Sequence, residues 1–112
     1  MHTVKRLVPG SALTVALVTY YTVPAATSSI VKEIILCNTD VVARTVDIHF
    51  IPPAGTAAVA NQILDGSNNA NLQAGETKMF NLSSVLPTGY FIQAVASSAT
   101  VVSMNVSGIE VT

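Results

Sequence analysis

Apolar and polar residues alternate with a period of two along most of this sequence, and that alternation restricts the chain to extended structure. The clearest run is residues 44–51. One side of this run carries Arg44, Val46, Ile48 and Phe50. The other side carries Thr45, Asp47, His49 and Ile51. Because successive side chains of a strand point to opposite faces, we assign the first set to a core and the second to solvent or a neighbour.

The remaining runs are also typical of strands, and Pro, Gly, Asn and Asp separate them. They are residues 12–23 (one long strand or two short ones), 30–38, 77–82 after a tight turn at 73–76, 90–97 and 100–111, with Gly108 as a bulge. The turn at residues 38–40 predicts a hairpin that joins 30–38 to 44–51. The one predicted helix is 57–64, and residues 65–71 are predicted to be a loop. This pattern predicts an all-β fold, an antiparallel β-sandwich or barrel-like jelly roll of about seven strands.

The domain organisation is simple, since 112 residues make one core. Residues 12–112 are predicted to form a single β-sandwich domain, and residues 1–11 an extended N-terminal arm. The apolar stretch 7–26 is interrupted by Pro9, Gly10 and Pro24, so it predicts neither a membrane span nor a signal peptide. Cys37 is the one cysteine, and its apolar neighbours predict a small buried side chain.

Charged residues are scarce, at 10% of the chain where soluble domains have about 25%. The polar residues are mostly Ser, Thr, Asn and Gln, whose burial in a subunit interface costs less desolvation free energy than that of Lys or Glu. The composition predicts a subunit of an oligomer or larger assembly, and the alternative is a sparingly soluble monomer. The net charge of −1 argues against a nucleic-acid partner, because phosphate binding needs a concentrated basic face.

The residues needed for catalysis or metal binding are not grouped in the sequence. The two histidines are His2, near the terminus, and His49, in a strand, and the six acidic residues occur singly. Residues 65–71 lack the acidic ligands of a calcium loop. We therefore predict no enzymatic activity, no catalytic residue, no metal site and no cofactor.

Three segments carry a resemblance to a known group of proteins. They are Ile30 to Phe50, Leu72-Gln-Ala-Gly-Glu-Thr-Lys and Gly89-Tyr-Phe-Ile-Gln-Ala-Val-Ala-Ser. Their order and spacing resemble those of small β-sandwich structural proteins of tailed bacteriophages, over roughly residues 20–112. The resemblance implies a virion component without enzymatic activity, such as a capsid decoration (cement) protein or a neck, tail or fibre accessory subunit. It also implies a homotrimer or another cyclic oligomer.

The resemblance therefore implies a virion structural protein that is assembled in the host cytoplasm. Its partners would be further copies of itself and the major capsid protein or another virion protein, without nucleic acid or membrane. An extended edge can add to a partner sheet through main-chain bonds. The predicted interface residues are Val4, Lys5, Arg6, Leu7, Val8, Pro52, Pro53 and Tyr90.

A second hypothesis is an adhesion or carbohydrate-binding module. It would use the loop of residues 52–71 and the rings of Tyr20, Tyr21, Tyr90 and Phe91. Sugar sites need exposed aromatic rings, and aromatic residues are only 5% of the chain.

Overall fold

The chain forms nine strands and one short 3-10 turn in the computed structural model, which describes residues 1–112. The elements are β1 (His2–Ala12), β2 (Val18–Thr22), β3 (Ser28–Asn38), β4 (Arg44–Ile51), the 3-10 turn (Val59–Asn61), β5 (Gln62–Leu64), β6 (Asn71–Leu72), β7 (Thr77–Leu86), β8 (Phe91–Ala96) and β9 (Val102–Val111). The two shortest strands, β5 and β6, account for the difference from the predicted number.

The strands lie in two antiparallel sheets. Sheet A has the order β1-β9-β3-β7, and sheet B has the order β2-β8-β4-β5, with β6 also paired to β4. Successive strands lie in opposite sheets, except from β4 to β6, where the chain stays in sheet B. This is the jelly-roll arrangement of a β-sandwich. The predicted all-β sandwich is therefore confirmed.

The predicted hairpin between β3 and β4 is wrong, although the bounds of β4 are as predicted. β3 pairs with β7 and β9 in sheet A, whereas β4 pairs with β8, β5 and β6 in sheet B. The turn at residues 38–40 carries the chain from one sheet to the other. Turn residues show where a strand ends, but the pairing depends on apolar faces that are distant in sequence.

The core lies between the two sheets and consists of the side chains that each strand turns inward. Its largest contributions come from the two interior strands of each sheet. They are Val31, Ile34 and Leu36 of β3, Val46, Ile48 and Phe50 of β4, Ile92, Ala94 and Ala96 of β8, and Val102, Met104 and Val106 of β9. The predicted inward set of β4 is thus confirmed for its three apolar members, while Arg44 is half-buried.

Two predictions about the middle of the chain are wrong because residues 59–64 pack beside β4. The predicted helix 57–64 is instead a 3-10 turn followed by β5. This segment packs beside β4, so His49, which was predicted to face solvent, is only 8% exposed. Its Nδ1 lies 2.8 Å from Oδ1 of Asn61. The outer face of β4 is covered here by chain that follows it in sequence.

The predicted N-terminal arm, residues 1–11, is extended and forms part of β1 along the edge of sheet A. It pairs with β9 from His2↔Val111 to Ala12↔Ser103. The chain termini also meet, because the Met1 ammonium donates to the Thr112 carbonyl oxygen at 2.6 Å. In a single copy this segment is therefore not a free arm.

Sheet A bends where extra residues enter the strands on both sides of β9. Between the pairs Val31↔Gly108 and Glu33↔Ser107, β3 contains one residue that has no partner in β9. On the other side of β9, Arg6 pairs with Ser107 and Val8 with Val106, so Leu7 is an extra residue in β1. Gly108 had been predicted as the bulge, but the inserted residues belong to the neighbouring strands. A Cβ on Gly108 would overlap the carbonyl oxygen of Ile30, so glycine is required for this close approach.

We predict that Gly108→Ala lowers the free energy of unfolding by about 2 kcal/mol or more, because backbone in an interior part of the sheet must move to admit the methyl group. Gly75→Ala is the matched control: it has open space around its Cβ position and a φ of +71°. That control should lose only about 1 kcal/mol through its left-handed backbone. Urea denaturation measures both variants, and an equal loss in the two would contradict the close-approach explanation.

Candidate protein interface

The predicted interface residues of β1 divide into surface and core positions. Val4 is 83% exposed. Lys5 forms an ion pair of 3.4 Å with Glu110, and Arg6 donates from Nη2 to Oδ1 of Asn105 at 2.5 Å. Leu7 and Val8 belong to the hydrophobic core, so their side chains cannot contact a partner in this conformation. The prediction for these two residues is corrected, since both lie at the bulge that turns β1 inward.

The other predicted residues, Pro52, Pro53 and Tyr90, are brought together by the fold. The β4–β5 connection begins at Pro52, and the β7–β8 connection ends at Tyr90. A Cβ on Gly89 would lie 2.8 Å from Cγ of Pro53, so the two connections are in close contact. Pro53 is exposed, whereas Pro52 and Tyr90 are half-buried. Whether they contact a partner remains a prediction.

These residues are part of a larger surface at one end of the sandwich, which we call the charge-free end. It consists of the connections 23–27, 52–58 and 87–90. None of these residues is Asp, Glu, Lys, Arg or His. The paired chain termini, Met1 and Thr112, lie at the same end of sheet A, because Ser28 is beside Val111 and Val111 is beside His2. The exposed positions carry small or cyclic side chains, namely Pro24, Ala25, Ala26, Pro53, Ala54, Thr56, Ala58, Pro87 and Thr88. Such a surface loses little hydration free energy when it is covered by a partner.

Hydrogen bonds join two connections of the charge-free end, 23–27 and 87–90, while in the third Gly55 N–H donates to Pro52 O at 2.9 Å. Gly89 N–H donates to Val23 O at 3.2 Å, and Val23 N–H donates to Tyr90 O at 2.8 Å. Thr27 N–H donates to Oγ1 of Thr88 at 3.2 Å, and that hydroxyl donates to Thr27 O at 2.5 Å. A partner would therefore meet these two connections already ordered.

Two exposed alanines of the charge-free end have left-handed backbone. Ala26 has a φ of 55° and Ala54 a φ of 60°. This conformation costs a residue with a Cβ roughly 1–2 kcal/mol. Asn and Asp also adopt it comparatively readily, so these two positions accept a polar or charged substitution without a change of backbone.

A second surface, which the sequence did not indicate, lies at the opposite end. The connections 13–17, 39–43, 73–76 and 97–101 meet there through hydrogen bonds such as Thr39 N–H to Val101 O at 2.8 Å and Thr100 N–H to Leu13 O at 2.9 Å. Its exposed apolar side chains are Val15, Leu17, Val41 and Val42. The first two of these residues are more than 20 positions from the other two in the chain, and no local pattern shows that the two pairs converge.

Asn38 joins the connections at this second end. The residue is fully buried, and its Nδ2 donates to Val42 O at 2.9 Å, Gln73 O at 3.1 Å and Leu72 O at 3.3 Å. Its Oδ1 accepts the N–H of Asp40 at 3.0 Å. Asn38 was predicted as a turn residue, and it has the further role of bonding carbonyl groups of two connections and the buried carbonyl of Leu72 in β6.

The same turn contains an ion pair between Arg44 and Asp40. Nε and Nη2 of Arg44 both donate to Oδ2 of Asp40, at 2.9 and 2.7 Å. These bonds, with one from the Val41 N–H, hold the pKa of Asp40 below its usual value. Since each charge is paired with the other, the pair adds little net charge to this end.

Near the charge-free end, a polar bridge crosses between the two sheets. Tyr21 of β2 donates its hydroxyl to Oε2 of Glu110 in β9 at 2.5 Å, and Oγ of Ser29 in β3 lies 2.7 Å from the same hydroxyl. Burial of the phenol and its bond to Glu110 raise the pKa of Tyr21 to about 12. The neutral phenol is thus the form that the folded protein stabilises.

Other kinds of site find little support in the geometry. The structure contains no pocket, and no three His, Cys, Asp or Glu side chains are placed to hold a metal ion. Tyr20, Tyr21 and Tyr90, which the carbohydrate hypothesis requires as exposed rings, are partly buried and pack against the core. No helix is long and apolar enough to cross a membrane.

Comparison with known proteins gives a structural likeness only. No protein-family model and no curated protein matches the sequence. The fold is similar to a chain in the crystal structure of the T13 IBDV viral particle, with a TM-score of 0.52 and 16% identity over 97% of this chain. A structure of the infectious bursal disease virus Gx strain gives a TM-score of 0.47 and 15% identity over 98% of this chain. This chain spans 30% and 36% of those two chains, and at such identity the first likeness shows the fold alone.

The Tyr21–Glu110 bridge predicts a loss of stability at high pH. Because the folded pKa of about 12 exceeds the unfolded value of 10.0, the stabilisation is complete below pH 10 and is lost as the pH rises to 12. The ionised phenol would also face the Glu110 carboxylate. We expect Tyr21→Phe to be less stable than the parent chain at pH 8 and to lose less stability between pH 10 and 12.

Chemical denaturation at a series of pH values measures this difference. Tyr90→Phe is the control, because it leaves the bridge intact and should keep the slope of the parent chain. Parallel pH profiles for the parent chain and Tyr21→Phe would show that the bridge does not contribute.

Proposed function

We propose that this chain is a non-enzymatic structural subunit of a virus particle. In finer terms, it acts as a decoration or cement protein that binds and stabilises the capsid of a tailed bacteriophage. It assembles in the host cytoplasm with copies of itself, as a homotrimer or another cyclic oligomer, and with the major capsid protein. A neck, tail or fibre accessory subunit is the alternative position in the particle.

The observation that carries this proposal is the charge-free end. Three connections that are far apart in sequence meet there without an ionised side chain, and hydrogen bonds hold two of them, 23–27 and 87–90, together. Attachment through these connections desolvates no ionised side chain, and the bonded pair 23–27 and 87–90 needs little ordering. The jelly-roll fold, which also occurs in viral capsid domains, supports the same function without specifying it.

The absence of a pocket in the structure agrees with a function that needs only a surface. Under this proposal the charge-free end contacts the capsid through Pro53, Ala54 and Ala26. The fold leaves the strand edges available for contacts between copies. The net charge of −1 gives no basis for direct contact with the packaged nucleic acid.

Mass spectrometry of purified particles tests the location of the chain. We expect it in intact particles at a fixed stoichiometric ratio to the major capsid protein, and in head fractions after heads and tails are separated. Recovery in tail fractions would support the accessory alternative. Its absence from every particle fraction would overturn the proposal.

Substitutions at the two left-handed alanines test the surface. Ala26→Asp with Ala54→Asp introduces charge where the partner would lie and should lower the affinity for particles at least about tenfold, because an unpaired charge would be buried. Ala26→Asn with Ala54→Asn has the same shape without the charge and should retain binding. The measurement is co-sedimentation of the purified chain with particles that lack it. Equal binding by the two double variants would exclude the charge-free end as the contact.

A further inference from the structure

Four strand edges are open at the sides of the two sheets, and three of them are interrupted or short. β1 contains Pro9, Gly10 and two register shifts. β2 has five residues with a register shift between Thr19 and Tyr21, and β5 and β6 have three and two residues. Bulges, proline, short length and charged side chains, lysine above all, are the features by which proteins prevent pairing between edges.

The edge of β7 has neither bulge nor proline over its first half, and Lys78 is the one protective feature there. From Cys37↔Thr77 to Glu33↔Asn81 it forms five consecutive residue pairs with β3 without a register shift. This segment, residues 77–81, contains no Pro or Gly, and its one charged residue is Lys78. An unbroken edge of this kind is a template for another strand.

The main-chain groups on the outer side of residues 77–81 have no partner within the chain. Asn38 N–H donates to Glu76 O, which fixes the alternation of bonding along the ladder. Lys78 and Phe80 therefore direct their main-chain groups toward β3. Thr77, Met79 and Asn81 direct theirs outward, and no hydrogen bond of the chain reaches them.

We propose that a second copy of this chain binds the β7 edge, with residues 77–81 of the two copies paired antiparallel about a two-fold axis at Met79. The inference rests on the self-association in the proposed function and names its contact. The pairs are Met79 with its counterpart, and Thr77 with Asn81 of the other copy in both directions. Each of these three pairs can exchange two main-chain hydrogen bonds, and sheet A becomes continuous across the two copies.

The side chains of this segment are complementary to themselves in that register. On the outer face, Met79 is 63% exposed and would pack against the Met79 of the other copy. On the inner face, Lys78 of one copy would lie beside Phe80 of the other, so the two lysines are not opposed and each ammonium meets an aromatic ring. Phe80 is only partly buried in one copy, and the second copy would cover its exposed part.

The symmetry of this contact limits what it can build. An antiparallel pairing of identical edges closes at two copies, so a trimer must use another surface. The edge contact therefore predicts a dimer of twice the 11.6 kDa chain mass, or an even-numbered assembly in which dimers are the units.

Crosslinking tests the position of the two-fold axis. In a hydrogen-bonded antiparallel pair the Cα atoms are about 5.5 Å apart, within the range of a disulfide. On a Cys37→Ser background, Met79→Cys should form a disulfide-linked dimer under mild oxidation. Val85→Cys is the matched control, since Val85 is on the same outer face of β7 and 61% exposed but lies beyond the paired segment. Crosslinking of both variants to the same extent, or of neither, would overturn the proposal.

Light scattering over a range of concentrations supplies the second test. Met79→Lys places two cations face to face on the axis and should weaken the dimer roughly tenfold or more, while Val85→Lys should leave its affinity unchanged. Circular dichroism should show both variants folded, since both side chains are exposed. A dimer or trimer that is insensitive to Met79→Lys would overturn the β7 contact while leaving self-association intact. A parent chain that is monomeric at every concentration would overturn both, and the particle experiment decides the virion role separately.

Discussion

The packing of two apolar sheet faces against each other is the constraint on which the rest of this structure depends. Each interior strand turns one row of side chains into the core, and the chain crosses between the sheets at almost every connection. A sandwich built in this way places its connections at two opposite ends and leaves a strand edge open at each side of a sheet. The ends and edges are therefore the positions where a chain without a pocket can meet a partner.

Many polar side chains in this protein bond to main-chain groups or link neighbouring elements. Asn38 donates to carbonyl groups of two connections, and Thr88 joins the connections 23–27 and 87–90. Tyr21 links the two sheets through its bond to Glu110. Few ionised groups remain for solvation, as the composition of 10% charged residues requires. The resulting surfaces have a low free energy of desolvation, as permanent contacts between subunits require.

The proposed contacts use two different physical properties of the same fold. The charge-free end offers a preformed surface of small side chains, whereas the β7 edge offers main-chain donors and acceptors. The first suits attachment to an unlike partner, because side-chain shape and low charge determine the fit. The second suits a copy of the same chain, because an antiparallel edge is complementary to itself.

Local alternation along the sequence was sufficient to predict the class of fold, the inward residues Val46, Ile48 and Phe50, and both bounds of β4. It also indicated Pro53 and Tyr90, which the fold brings to one end. It failed for the β3–β4 pairing, for His49 and for Leu7 and Val8, because each depends on a neighbour distant in sequence. A strand's period of two is a property of its own residues, but its partner is chosen by the burial of apolar faces across the whole chain. Only the tertiary structure decided that the connections 23–27, 52–58 and 87–90 meet at one end, and that the edge of β7 has no partner strand within the chain.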